Sequence, residues 1–466
     1  MTRPVVTRIA PSPTGSMHIG TARTALFNWL FARHHGGKFL IRVEDTDRER
    51  STDAAVRVLF DGFAWLELFS DEEPVFQFQR APRHREVVEE LLARGGAYRC
   101  FMSAEETEAA REQAKAEGRA LRSPWRDRQP NDISAPAVVR FRVPDVEHVV
   151  VSDAVQGEVR FAAKDLDDLV LLRSDGTPTY NLAVVADDHD MGITHVIRGD
   201  DHLNNAARQA LIYDALGWER PVFAHIPLIH GPDGAKLSKR HGAQSVGEFR
   251  DMGYLPEAMR NYLARLGWSH GDDELFSDEQ AIRWFDLDQV GRAPSRLDFD
   301  KLAHVNAHWL RLADDDRLAK LTLEALMRRG HDLAEGDEDR LTRAVPFVKD
   351  RAKTILELAD QCAFALSRRP LAFTDKAQAA LTDEARDRLS RLRQRLGLFR
   401  SWDVFALEAE IKAFAEEEGV GMGKVGPPLR AALTGGAVSP DLAKILAALG
   451  QAESLARLDD ALSSVA

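Results

Sequence analysis

The sequence predicts an α/β fold: a doubly wound parallel sheet, Rossmann-like in layout, interrupted by an α+β insertion and followed by all-α C-terminal domains. Three observations carry this. First, "PVVTRIAP" (4–11) reads as a short buried strand, "TARTALFNWLFARHHGG" (21–37) as a helix, and "KFLIRVED" (38–45) as a second strand. In the helix, Ala22, Leu26 and Leu30 recur at helical spacing, His34 and His35 fall in the last turn, and Gly36 and Gly37 supply the cap. Second, the same alternation resumes much later: "ITHVIRGDD" (193–201) is a strand ending on Arg198, "HLNNAARQALIYDALGW" (202–218) a helix, and "PVFAHIPLI" (221–229) a strand. Third, from about residue 315 onward only helical periodicity is found.

The segment between the two α/β stretches has a different pattern. Ser103 and Glu106 form a capping box that opens a charged helix. "AVVRFRV" (137–143) and "GEVRFAA" (157–163) alternate as half-buried strands, and "LVLLRSDGTPTYNLAVV" (169–185) reads as two strands around an Asp-Gly turn. The expected boundaries are 1–98 and 186–240 for the two halves of the parallel-sheet domain, 99–185 for the insertion, 241–315 for a helical region and 316–466 for a second helical region. Within the last, "GVGMGKVGPP" (419–428) and "TGGAVSP" (434–440) are expected to break helices.

Bulk properties narrow the function classes. A 466-residue chain with 44% hydrophobic residues can bury several cores, so disorder is excluded. No run approaches 18 apolar residues and the first fifteen residues lack an apolar signal region, which points to a cytoplasmic protein without membrane contact. Cys100 and Cys362 are the two cysteines, too far apart for a paired metal motif or a disulfide framework. A net charge of −12 argues against a nonspecific nucleic-acid coat, although a local basic face stays open, for example at "SRLRQRLGLFR" (390–400).

In such sheets ligands sit beyond the carboxyl ends of the strands, which selects the loop "APSPTGSMHIG" (10–20) and Glu44. Pro11 and Pro13 stiffen that loop, and Gly15 and Gly20 bracket His18 at the mouth of a helix. A helix N-terminus with unpaired N–H groups suits a phosphate, His18 can donate to its oxygens, and Gly20 lets a flat ring approach the backbone. Arg8 and Arg198 each end a strand and can point into one cleft; the alternative for Arg8 is an internal ion pair with Glu44 on the adjacent strand. Further on, "KLSKRHG" (236–242) gathers three cations on a glycine-rich loop of an acidic chain.

Taken together, "PSPTGSMHIG", "RVEDTD" (42–47), "TYNLAVVADDHDMGITHVIRGDDH" (179–202), "KLSKR" (236–240) and "VGPPLRAALTG" (425–435) resemble the bacterial-type glutamyl-tRNA synthetases of class I over essentially the whole chain. "HIGT" and "KLSKR" stand where that class has its HIGH and KMSKS signatures. The resemblance implies ATP, Mg²⁺, L-glutamate and tRNA as ligands. It makes His18 and Lys239 catalytic, and implies ATP contacts from Ser12, His18, Gly20, Lys236, Ser238, Lys239 and Arg240. It implies glutamate contacts from Arg8, Ser12, Glu44, Tyr180 and Arg198, with Glu44 taking the α-ammonium, while Asp45 and Asp47 are read as structural or capping residues. The physics agrees: carboxylate attack on the α-phosphorus asks mainly for electrostatic help, which a mobile cationic loop delivers when ATP is present.

The resemblance further implies that the insertion meets the tRNA acceptor end, region 241–315 its stem, and the helical C-terminal region its anticodon, with Arg351 a candidate anticodon contact. Transfer is to the 2′-hydroxyl of the terminal adenosine, of tRNA for glutamate and, as an open alternative, tRNA for glutamine; a monomer is usual. Three departures stand out. Met102 occupies a position where a second zinc-binding thiol is expected, and one thiolate cannot close a tetrahedral site, so no structural zinc is expected. Thr21 ends "HIGT" and Arg240 ends "KLSKR", both of which the glutamyl branch tolerates. A truncated tRNA-modifying paralogue, a glutamine-specific synthetase with a β-barrel anticodon region and a small nucleotidyltransferase all conflict with the long helical tail.

Overall fold

In the computed structural model, residues 3–463 are described except 14, 48–49, 129–136, 236, 238–244 and 333. The chain divides into two compact units, Met1–Glu248 with Met259–Asp298, and Phe249–Ala258 with Phe299–Ala466.

The first unit is built on β1 (Val6–Ile9), α1 (Ile19–His34), β2 (Lys38–Val43), α2 (Asp53–Trp65), β3 (Val75–Phe76) and α3 (Ala81–Ala93). β1, β2 and β3 pair in parallel in that order. Gly37 joins α1 to β2 where a Cβ would lie 2.1 Å from the Val5 carbonyl oxygen, so only glycine lets the chain turn this close to the start of β1. The insertion then contributes β4 (Ala97–Cys100), α4 (Ala104–Ala116), β5 (Val138–Phe141), β6 (His148–Asp153), β7 (Gly157–Ala162) and β8 (Val170–Leu172). β4, β5 and β8 form their own antiparallel sheet, and α4 opens with the expected Ser103–Glu106 capping box.

The hairpin β6–β7 behaves differently: it joins the main sheet. After α5 (Tyr180–Asp190) come β9 (His195–Gly199), α6 (Leu203–Leu216) and β10 (Val222–Ile226), and the second sheet runs β7-β6-β10-β9. Thr194, one residue ahead of β9, joins the two sheets by exchanging hydrogen bonds with Val6: Val6 N donates to its Oγ1 (2.8 Å) and its own N donates to the Val6 carbonyl (2.9 Å). The resulting order, β3-β2-β1-β9-β10-β6-β7, reverses direction between β1 and β9, which is where a doubly wound sheet opens its ligand crevice.

One expectation is overturned and another is narrowed. The apolar run after Pro178 is not a second strand; the extended pairing stops at an isolated Leu172–Pro178 bridge, and Tyr180–Asp190 is helical. Every residue from Leu182 to Asp188 is buried, so this central stretch has no solvent face, and a stretch buried all round has no period that separates a helix from a buried strand. The break expected within "GVGMGKVGPP" is found at its start, where one helix ends at Glu417 and the next begins at Met422, but the prolines do not end a helix: Met422–Thr434 runs through Pro427 and Pro428. The two prolines forgo backbone bonds there, while Val425, Pro428, Leu429 and Leu433 are buried along the same helix and offset that loss.

In the second unit, helices alone make up the regular structure among the described residues beyond 315. Its packing centres on Arg457, 0% exposed, in the last helix (Leu442–Ser463). Arg457 donates to the carbonyls of Phe364 (2.7 Å), Leu433 (2.8 Å) and Ser367 (2.9 Å), and to Glu453 (2.7 Å), so one side chain caps the carboxyl ends of two neighbouring helices.

Candidate active site

At the carboxyl ends of β1 and β9 the first unit has a cavity of about 440 Å³, lined among others by Arg8, Ser12, His18, Glu44, Tyr180 and Arg198. These residues lie on five separate stretches of sequence. The topology collects them because β1 and β9 diverge at the reversal of strand order.

One wall is the start of α1. His18 is its N-cap residue, and its Nδ1 accepts a hydrogen bond from Gly20 N at 3.0 Å. An accepting Nδ1 puts the proton of the neutral ring on Nε2, so the exposed His18 presents an N–H donor beside the positive end of the helix. A Cβ at Gly20 would lie 3.2 Å from that Nδ1, which shows how closely loop and ring fit. Ser12 is exposed on the same loop and lines the cavity.

The opposite wall is charged. Arg8, 3% exposed, donates through Nε (3.0 Å) and Nη2 (3.2 Å) to Asp188, so it pairs with the end of α5 and not with Glu44. Asp188 also takes Arg42 Nη1 at 2.5 Å, and Arg42 in turn stands 3.6 Å from Glu44. Burial raises the Asp188 carboxyl, but the two guanidinium groups outweigh it and hold the pKa below the usual range. Glu44 goes the other way: burial raises its pKa, and Arg42 and Arg8 only partly offset that. Its carboxylate is therefore short of positive charge. Asp188 and Arg42 escaped the sequence reading; the only available signal was an acidic pair, "DD", inside an otherwise apolar stretch.

Tyr180 is the first residue of α5, and its hydroxyl lies 3.1 Å from His202 Nδ1. Burial pushes that hydroxyl up to about 12, although 37% of the residue stays open to solvent, so it is a neutral phenol at physiological pH. Arg198, 6% exposed, lines the same cavity, and its Nη1 is buried without a hydrogen-bond partner. An uncommitted guanidinium nitrogen on a residue that lines a cavity is what an anionic ligand would satisfy.

Lys236, Ser238, Lys239 and Arg240 lie outside the described residues, but the flanks of their loop do not. Leu237 lines the cavity. On the far side, Ser245 bridges to His18 and Val246 N donates to the Met17 carbonyl at 2.9 Å. One flank thus lines the cavity and the other pairs with the residues that lead into α1. Asp45 accepts from Phe78 N (2.8 Å) and Asp47 pairs with Arg50 (2.6 Å), in keeping with structural roles. Cys100 Sγ is buried 3.3 Å from Ser123 Oγ, which also contacts Met102 Sδ at 3.0 Å. Arg351 belongs to the second unit, exposed on the short turn Lys349–Arg351.

The strand-end charges define a ligand. Of the charged groups that line the cavity, Arg8, Arg198 and Glu44 stand at strand ends and suit a molecule with negative groups and one positive group, and the helix N-terminus beside them suits a phosphate.

Comparison with known proteins agrees. Residues 4–304 match the family model for the catalytic domain of class I tRNA synthetases (E and Q), and residues 317–462 match an anticodon binding domain. The chain is 67% identical over 462 residues to a glutamate–tRNA ligase of Phenylobacterium zucineum, covering 99% of each chain. It is 66% identical over 459 residues to one of Caulobacter vibrioides, covering 98% of each. Among solved structures, a glutamate tRNA ligase from Elizabethkingia meningosepticum in complex with its amino acid superposes with a TM-score of 0.82 at 31% identity, covering 99% of this chain and all of the other.

Proposed function

Since the chain belongs to the glutamate–tRNA ligases, class I aminoacyl-tRNA synthetases that use ATP, we propose that the cavity between β1 and β9 is where L-glutamate and MgATP react. The observation that carries this is the convergence of Arg8, Arg198 and Glu44 beside the N-terminus of α1. Arg8 and Arg198, helped by Tyr180 and Ser12, take the substrate's carboxylates, and Glu44 takes its α-ammonium. Glu44's shortage of positive charge supports that role, because a bound ammonium supplies it.

ATP lies along the α1 side, its phosphates meeting His18 Nε2–H and its adenine approaching Gly20. A glutamate carboxylate oxygen attacks the α-phosphorus; the new O–P bond forms as the bond to pyrophosphate breaks. Lys239, with Lys236, Ser238 and Arg240, neutralises charge on the departing pyrophosphate, and the flanks of their loop at Leu237 and Ser245 support that reach. Mg²⁺ enters with ATP as part of the substrate. The 2′-hydroxyl of the terminal adenosine then attacks the acyl carbon and AMP leaves.

In this reading, residues 1–98 and 186–240 do the chemistry, 99–185 hold the acceptor end, 241–315 contact the stem and 316–466 bind the anticodon, with Arg351 among the contacts. The enzyme works as a monomer in the cytoplasm. No helix among the described residues is long and apolar enough to cross a membrane. The test is charging of purified tRNA for glutamate and tRNA for glutamine, separately, with labelled glutamate. We expect charging of the first; charging of the second as well marks a relaxed anticodon reading, and charging of neither overturns the proposal. Lys239→Ala is expected to lower adenylate formation by roughly 10²- to 10³-fold with little change in KM for glutamate; an unchanged rate removes the loop from the mechanism.

A further inference from the structure

Arg198 is held in an unusual way for a buried cation: among the described residues no carboxylate forms an ion pair with it. Its Nε instead donates to a histidine, His225 Nε2, at 3.0 Å. His225 is the cross-strand partner of Arg198 in the β9–β10 register, and both side chains are buried. Behind His225, its Nδ1 lies 2.5 Å from Asp153 Oδ2, at the end of β6. The other Asp153 oxygen accepts three backbone N–H groups, from Val155 (3.0 Å), Gln156 (2.8 Å) and His225 itself (3.1 Å).

This chain leaves one consistent proton arrangement. Asp153 Oδ1 accepts three backbone donors, and hydrogen bonds from His225 and the backbone hold the pKa of Asp153 below the usual range against the effect of burial, which keeps it a carboxylate. An accepting carboxylate requires the proton on His225 Nδ1. Arg198 Nε–H, which cannot lose its proton, requires a lone pair on Nε2. The ring is therefore neutral with its proton on Nδ1. The groups facing it agree: Asp153 from β6, Arg198 from β9, and Asp200 and His202 from the turn after β9; burial, assisted by Arg198, lowers its pKa against the pull of the two aspartates.

We propose that Asp153 and His225 form a buried relay that aims Arg198, making His225 a positioning residue for recognition of a substrate carboxylate. The inference rests on Arg198 being a carboxylate ligand. With Nε engaged by His225, the guanidinium plane is set, and its remaining edge is Nη1, which has no partner, and Nη2, which has only a 3.5 Å contact to the His202 carbonyl. That edge is the fork that binds a carboxylate with two parallel hydrogen bonds. A lysine or an unguided arginine would supply charge without this direction. Using a neutral histidine and not a carboxylate to hold Arg198 has a further consequence: the cation is not neutralised before the substrate arrives.

The test uses two variants of similar size in the full-length enzyme, assayed by aminoacylation. His225→Gln keeps an acceptor near the Nε2 position; His225→Asn keeps a donor toward Asp153 and withdraws that acceptor. The relay predicts that His225→Asn raises KM for glutamate roughly tenfold or more, with KM for ATP nearly unchanged, while His225→Gln stays within about threefold of wild type. Equal effects of the two variants, or parallel changes in both KM values, overturn the relay. Arg198→Ala separates the premise: if it leaves KM for glutamate unchanged, the carboxylate-ligand reading fails, and if it raises KM while folded His225→Asn does not, only the relay fails. Should both histidine variants fail to fold, histidine nitrogen NMR of the wild-type enzyme decides. A neutral His225 protonated on Nδ1 supports the relay, and the Nε2–H tautomer or an imidazolium refutes it.

Discussion

Arg198 in the first unit and Arg457 in the second are both buried, yet they are buried for opposite reasons. Arg457 spends its donors on three backbone carbonyls and Glu453 and leaves no buried nitrogen unpartnered. Arg198 has its Nε on a histidine and its Nη1 on nothing, at the edge of a cavity. Burying a guanidinium is costly unless its hydrogen bonds are made inside the protein. Arg457 meets that condition at folding and so holds helix ends together. Arg198 meets it only when a ligand arrives, so part of the cost of its burial is returned as binding. Burial alone does not separate a structural charge from a functional one; an unmet donor on a residue that also lines the cavity sets Arg198 apart from Arg457.

The largest effect that would sharpen this contrast is on stability. Arg457→Met should destabilise the protein by about 3–5 kcal/mol, since it leaves the Phe364, Ser367 and Leu433 carbonyls and Glu453 without their donor. Chemical denaturation read by circular dichroism measures this, and KM for glutamate in the surviving folded enzyme should not change. Arg198→Ala should do the reverse: a loss of roughly 3 kcal/mol in kcat/KM for glutamate with a much smaller shift in unfolding midpoint. If Arg198→Ala destabilises as much as Arg457→Met, the distinction drawn from unmet donors is wrong.

A smaller effect concerns Glu44, the anionic counterpart of Arg198. Its pKa is raised in the folded protein, so the folded state holds the proton more tightly than the unfolded state. Stability therefore falls as pH rises from the ordinary carboxylate value through the raised one, and Glu44→Gln should be slightly more stable than wild type at neutral pH. The same substitution removes the partner for the α-ammonium, so KM for glutamate should rise roughly ten- to a hundredfold. In the wild type, affinity for glutamate should weaken as pH falls through the raised Glu44 pKa. Titrating glutamate binding against pH in both proteins checks this: the acid limb should be absent from Glu44→Gln, and an identical limb in both would assign it elsewhere.

Much of this was legible in the residues themselves. The β1–α1–β2 unit follows from Ala22, Leu26 and Leu30 at helical spacing between two apolar runs, and the fold places Arg8, His18, Glu44 and Arg198 around one cavity as strand-end positions in a doubly wound sheet require. Tyr180 was assigned to the site but put on a strand, and it begins a helix. The difference has a physical source: Leu182–Asp188 of α5 is buried on all sides, and amphipathic periodicity exists only where one face meets water.

The sequence by itself determined the β1–α1–β2 and β9–α6–β10 units and the loops at their strand ends, because these follow from local periodicity and turn chemistry acting over a few residues. What only the tertiary structure decided is which partner each charge takes. Arg8 binds Asp188 across 180 positions and His225 binds Asp153 across 72. Hydrogen-bond partners at that separation depend on strand order and register, and a cation's role turns on whether those partners satisfy every donor or leave one unmet on a residue that lines the cavity.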